Sequence, residues 1–114
     1  MLKRDRIYLQ HMLENAQKIV EFTDESTRDD LESNEIFALA LVRLIEIIGE
    51  AANALSDRCI AKEPDIPWKA IIGTRHRLIH GYFEVDLDII WTIVTKDIPT
   101  LIPQLEALLA ECES

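Results

Sequence analysis

Along most of this chain apolar residues return every three or four positions, the period of an α-helix laid against a core. In the first stretch, Lys3 to Thr23, residues Leu9, Met12, Leu13, Ala16, Ile19 and Val20 share one face. Polar residues 24–30 then form a connection. A second helix is expected over residues 33–56, with Ser33 or Asn34 as its N-cap. Apolar side chains surround most of its circumference, which places it at the centre of a bundle or covers one of its sides with a second copy. Residues 57–65 end it, and Pro64 and Pro67 mark the break. Pro67 suits the first turn of a third helix that runs to His80 and stops at Gly81, a residue able to take the left-handed conformation. Asp86 caps a fourth helix through Leu87, Ile90, Trp91 and Val94. Pro99 kinks or restarts it, and Leu101, Ile102, Leu105, Leu108 and Leu109 carry the last turns. Only three Gly and four Pro interrupt 114 residues, 48% of them hydrophobic. The expected fold is therefore all-α: an antiparallel up-and-down bundle of four to five helices, one domain over residues 1–114. A chain of this length buries roughly two thirds of its unfolded surface without disulfides or metal.

The two cysteines, Cys59 and Cys112, match no metal spacing and are too few for a disulfide framework, so a reduced, cytoplasmic compartment is expected. Residues 1–6 pass straight into an amphipathic helix, without the pattern of a signal peptide. The longest apolar run, residues 36–42, falls far short of the ~20 residues that span a bilayer, and no membrane association is expected. A formal net charge of −9 argues against a general nucleic-acid binder, which carries a basic surface. Between Pro67 and Phe83, however, stand Lys69, Arg75 and Arg77 with no acidic residue among them. Charges beyond about 8 Å are largely screened, so this local positive charge acts despite the total.

The same segment holds the residues that carry chemistry, Arg75-His76-Arg77-Leu78-Ile79-His80-Gly81-Tyr82. Arg holds phosphate and His moves protons near neutral pH, the two tasks that RNA cleavage needs most. On a continuous helix Ile71, Ile72, Arg75, Leu78, Ile79 and Tyr82 fall within about 100° of one another, placing Arg75 in the middle of an apolar face. Arg77 lies nearly opposite and is expected in solvent. A cation on a core face needs a carboxylate or an anionic ligand. Arg43, Glu46, Glu50 and Asn53 line one stripe of the second helix, and Glu46 and Glu50 are the candidate partners of Arg75. Two readings stay open here, a structural Arg–Glu pair and a phosphate site. His80 sits about 140° from Arg75, so the two converge only if the helix unwinds at Gly81 or two chains meet across a two-fold axis. His76 and His80 have a metal-ligand spacing, but no third ligand is near, and no metal is expected. His11 is expected on the surface; Phe37, Ile90, Trp91 and Val94 read as core, and Trp68 as core or interface. Glu84, Asp86 and Asp88 read as a solvated loop and helix start.

Residues 73–83 resemble the signature of the HEPN superfamily, specifically its HepT-like toxins: an arginine, a polar residue, three variable positions, a histidine, one position and a tyrosine. Here these are Arg75, His76, His80 and Tyr82. Residues 43–52 resemble that family's second helix, residues 66–73 its lead-in to the motif, and residues 84–91 what commonly follows. The likeness extends over most of residues 5–110; Thr74 stands where methionine is common. The resemblance implies a helical bundle that forms a symmetric dimer with two motifs in a shared cleft, and metal-independent RNA endonuclease activity without a cofactor. Arg75 would hold the scissile phosphate, His80 would act as general acid or base while the 2′-hydroxyl attacks, and His76 would orient the site, with Arg77 and Lys69 supporting RNA binding. It further implies an MNT-type nucleotidyltransferase antitoxin that transfers AMP to Tyr82, and a homodimer able to join a larger hetero-oligomer. A rival reading is a non-catalytic helical subunit that positions substrate for a partner nucleotidyltransferase; the acidic total favours it, and the Arg75/His80 pair favours the nuclease.

Overall fold

The computed structural model describes residues 2–80 and 84–113. Three long helices dominate: α1 (Lys3–Thr23), α3 (Glu35–Asn53) and α8 (Ile98–Glu113). Buried positions on α1 are Asp5, Leu9, Met12, Ala16 and Ile19, alternating steps of four and three that keep one stripe facing inward. That stripe packs against both α3 and α8. Each fully buried aliphatic side chain there contributes about 1.5–3 kcal/mol. α1 and α3 run antiparallel, because Asp5 at the start of α1 reaches Ser56 just beyond the end of α3. The Asp5 carboxylate accepts the Ser56 N–H at 2.8 Å and the Ser56 hydroxyl at 2.7 Å, and the Leu2 N–H at 3.3 Å. Burial pushes the Asp5 carboxyl up, but the Ser56 and Leu2 donors, helped by the Arg4 charge, outweigh it and hold the group below 3.8.

The short elements begin where side chains accept orphan N–H groups. α2 (Arg28–Ser33) occupies part of the expected polar connection, started by a Thr27/Asp30 capping box. Asn34 then caps α3 through the Phe37 N–H at 3.1 Å, so the expected helix over 33–56 divides at Asn34 and ends at Asn53. Ser56 caps α4 (Asp57–Lys62), a helix where a connection was expected, and accepts the Cys59 N–H at 3.2 Å. Trp68 is core: it is buried and its Nε1–H donates to the Glu63 carbonyl at 3.0 Å.

The largest departure from expectation concerns the third helix. It breaks at Gly73 into α5 (Trp68–Ile72) and α6 (Thr74–Leu78), and Pro67 stands one residue before α5 rather than in its first turn. The Thr74 hydroxyl lies 2.8 Å from both the Ala70 and the Ile71 carbonyl oxygens, and His76 N–H turns back to Gly73 O. These local bonds satisfy the carbonyls at the junction and free the chain to change direction. After Leu78 it is extended: β1 (Ile79–His80) pairs antiparallel with β2 (Glu84–Val85), and the Asp86 N–H closes the turn on Leu78 O at 2.8 Å. The expected stop at Gly81 lies outside the described residues, and the helix has already ended before it.

Asp86 caps α7 (Leu87–Thr92), accepting the Ile89 N–H at 3.1 Å as the sequence predicts. Arg28 on α2 clamps this start through Asp88 at 2.8 Å, with Glu32 3.3 Å away. The expected disturbance at Pro99 arrives one turn early, as a π-helical turn over Ile93–Asp97. The Ile98 N–H reaches back five residues to Ile93 O, and the wider turn relieves the clash of the Pro99 ring with the Thr95 carbonyl. Among the described residues the protein is thus helical apart from one two-residue ladder, and no helix is long and apolar enough to cross a membrane.

Candidate active site

The break at Gly73 rotates α6 relative to α5, which overturns the expectation that Arg75 lies in an apolar face. Thr74 and Leu78 turn inward instead, while Arg75, His76 and Arg77 are exposed. The Arg75 side chain is 73% exposed and its Nε stands 3.8 Å from Glu46 Oε2, a carboxylate only 19% exposed. That separation is an ion pair but too long for a hydrogen bond. The guanidinium therefore keeps its fork of donors available to an anion. Glu50, the other candidate partner, is taken by Arg43 at 3.1 Å.

α3 and the α5–α6 junction enclose a groove of about 130 Å³ around this pair. Glu46, Glu50 and Asn53 line one wall, Ile71 and Ile72 the other, with Thr74 and Arg75 at the end. Gly49 makes the approach of the two walls possible. A Cβ there would sit 3.0 Å from the Ile71 carbonyl oxygen, a backbone atom that cannot swing away. The glycine thereby fixes α5 against α3 and sets how far Arg75 stands from Glu46.

His80 follows α6 directly in β1, its backbone paired with Glu84; its side chain lies outside the described residues, and so does Tyr82. Lys69 and His76 are exposed on α5 and α6. Arg77 faces away from the Arg75 groove and lines a larger cavity of about 400 Å³ beside the π-helical turn. Sequence reasoning missed that cavity; besides Asp65 and Thr74 its other polar groups are Lys96, Asp97, Thr100 and Gln104, from a segment with no motif. The one signal was Pro99, which forces the turn that opens it. Among the described residues no three His, Cys, Asp or Glu side chains gather as a metal site.

The structure thus sets Arg75 beside a groove, with His80 five residues further on in a short strand. The chain belongs to the HepT-like family of the HEPN superfamily: the family model described as "Ribonuclease HepT-like" matches residues 12–108. Among its relatives, "Putative RNase MJ1380" of Methanocaldococcus jannaschii is 36% identical over 93% of this chain and 98% of its own length. "Putative RNase MJ0127" of the same organism is 37% identical, over 99% of this chain and 94% of its own. "Probable ribonuclease HepT" of Thermococcus cleftensis is 35% identical over 95% and 98%. No solved structure gives a significant match.

Proposed function

We propose that the protein is a metal-independent RNA endonuclease, the toxin of a toxin–antitoxin pair, acting as a homodimer. The observation that carries the reading is Arg75: an exposed guanidinium, tethered by Glu46 at 3.8 Å and beyond hydrogen-bond reach of it, at the mouth of a groove. A structural ion pair would be buried and close; this one leaves its donors turned to solvent. Family membership and the names of the relatives support RNA as the substrate.

In the reaction Arg75 holds the scissile phosphate and stabilises charge on its oxygens. His80 takes or gives the proton as the ribose 2′-oxygen attacks phosphorus. The P–O5′ bond breaks, the 5′-oxygen gains a proton, and a 2′,3′-cyclic phosphate remains. The nucleophile belongs to the RNA, so the protein needs only a cation and a proton carrier. His76 orients the site, and Lys69 and Arg77 hold flanking phosphates. An MNT-type nucleotidyltransferase silences the protein by transferring AMP from ATP to the Tyr82 hydroxyl, which loses its proton as pyrophosphate leaves; the added negative charge competes with RNA for Arg75.

The test is cleavage of end-labelled single-stranded RNA in a chelator by wild type, Arg75→Ala and His80→Ala, alongside intact mass of protein made with and without the antitoxin. Expected are cyclic-phosphate ends, loss of at least about a hundredfold in rate in each variant at unchanged Tm, and an AMP-sized adduct on Tyr82 that abolishes cleavage. Undiminished cleavage by His80→Ala would overturn the reading.

A further inference from the structure

The 400 Å³ cavity falls inside the roughly 300–1,000 Å³ range of small-ligand sites, and it is not part of the Arg75 groove. The two are neighbours back to back: Ile45, Ile71 and Thr74 line both. Its floor is buried and aliphatic, built from Ile45, Ile48, Ile93, Ile98 and Leu101. Its rim carries two kinds of group. Arg77 and Lys96 are exposed cations; Asp65 and Asp97 are exposed carboxylates, with the Gln104 amide beside them.

We infer that this cavity receives an unstacked nucleobase of the RNA, next to the nucleotide held at Arg75, and reads it; the inference rests on the ribonuclease reading above. A base out of its stack offers two apolar faces and a polar edge, and proteins hold it between apolar side chains with hydrogen bonds to that edge. Aliphatic walls with a polar rim match that shape. Arg77 and Lys96, both on this rim, take the accompanying phosphate. Carboxylates accept hydrogen bonds and cannot donate them. Asp65 and Asp97 therefore select bases rich in N–H groups, guanine first, whose N1–H and N2–H₂ lie side by side, and uracil last. Asp97 sits within the π-helical turn, so the irregular helix is what brings a carboxylate and a lysine to the same rim.

The experiment is titration of the intact protein with GMP and with UMP, followed by the methyl NMR signals of Ile93 and Ile98, and repeated for Asp97→Asn and Leu101→Trp. GMP is expected to shift those methyls saturably and to bind about tenfold more tightly than UMP. Asp97→Asn, an exposed change, should erase that preference, and Leu101→Trp should block binding of both. Cleavage-site mapping on unstructured RNA should then show wild type cutting beside G and Asp97→Asn cutting without preference. Methyls that do not move, or equal affinities untouched by Asp97→Asn, overturn the inference. The outcomes separate cleanly from those of the nuclease test. GMP binding with no RNA cleavage sinks the ribonuclease reading alone; cleavage with unmoved methyls sinks the pocket alone.

Discussion

In the proposed reaction Glu46 is the side chain that tunes how Arg75 would meet a phosphate. At 3.8 Å from a mostly exposed guanidinium it contributes little to folding, within about 0.5 kcal/mol. Its charge, however, competes with an incoming phosphate for the same cation. Glu46→Gln is therefore expected to leave Tm unchanged while lowering KM for RNA several-fold, and steady-state kinetics beside a melting curve check both. Asp5 shows the opposite division of labour. It is buried, three donors converge on it, and it touches nothing in the groove. Asp5→Ala should cost about 3 kcal/mol, since hydrogen bonds to a buried charge are strong, and leave kcat intact in the folded fraction. Its carboxyl is held below 3.8, so the stabilisation is complete above that pH and is lost as pH falls through the lower, folded-state value. Chemical denaturation at pH 5 and pH 3 should show this acid-sensitive component in wild type and not in Asp5→Asn.

At the scale of the elements, the α3–α5 contact sets the site. Gly49→Ala drives a Cβ against the Ile71 carbonyl and pushes α5 away from α3. Overpacking of this kind costs about 1–3 kcal/mol. The displacement also carries the α6 arginines with it, so cleavage should fall further than stability does; the ratio of kcat/KM to folded fraction measures the excess. The same junction marks what could be read in the sequence. α1, the cap at Asp86 and the helical class were legible because apolar periodicity and capping chemistry are local. The motif itself was legible, and Glu46 and Glu50 were legible as candidate partners of Arg75, without a choice between them. The burial of Arg75 was not. A helical wheel assumes one continuous axis, and the break at Gly73, where the Thr74 hydroxyl takes up the Ala70 and Ile71 carbonyls, redirects every residue after it. The base cavity escaped for a similar reason, since a π-helical turn leaves no periodicity of its own and only Pro99 hinted at a disturbance.

For the whole molecule the question is how an acidic chain holds an anionic polymer. A net charge of −9 per copy makes a broad electrostatic footprint unfavourable, so binding must concentrate at the few cations of the α5–α6 segment and the cavity rim. Two copies meeting about a two-fold axis would bring two such segments to one cleft. The outer face of α3 offers the surface for it. Ile36 is 81% and Leu39 51% exposed, and Arg43 and Glu50 continue that exposed side of the helix at steps of four and seven. Large aliphatic side chains left this open near the start of α3 favour a self-complementary contact. Replacing both with glutamate removes the apolar contact and sets like charges facing across the axis, without touching the folded core of either copy. The double variant Ile36→Glu/Leu39→Glu should therefore sediment as a monomer with a Tm measured at low concentration close to that of wild type. Its cleavage should fall by at least about a hundredfold, because each Arg75 loses the second motif. Cleavage that survives in the monomer would mean that one chain brings Arg75 and His80 together by itself, through the turn after α6, and that the apolar face of α3 serves another contact.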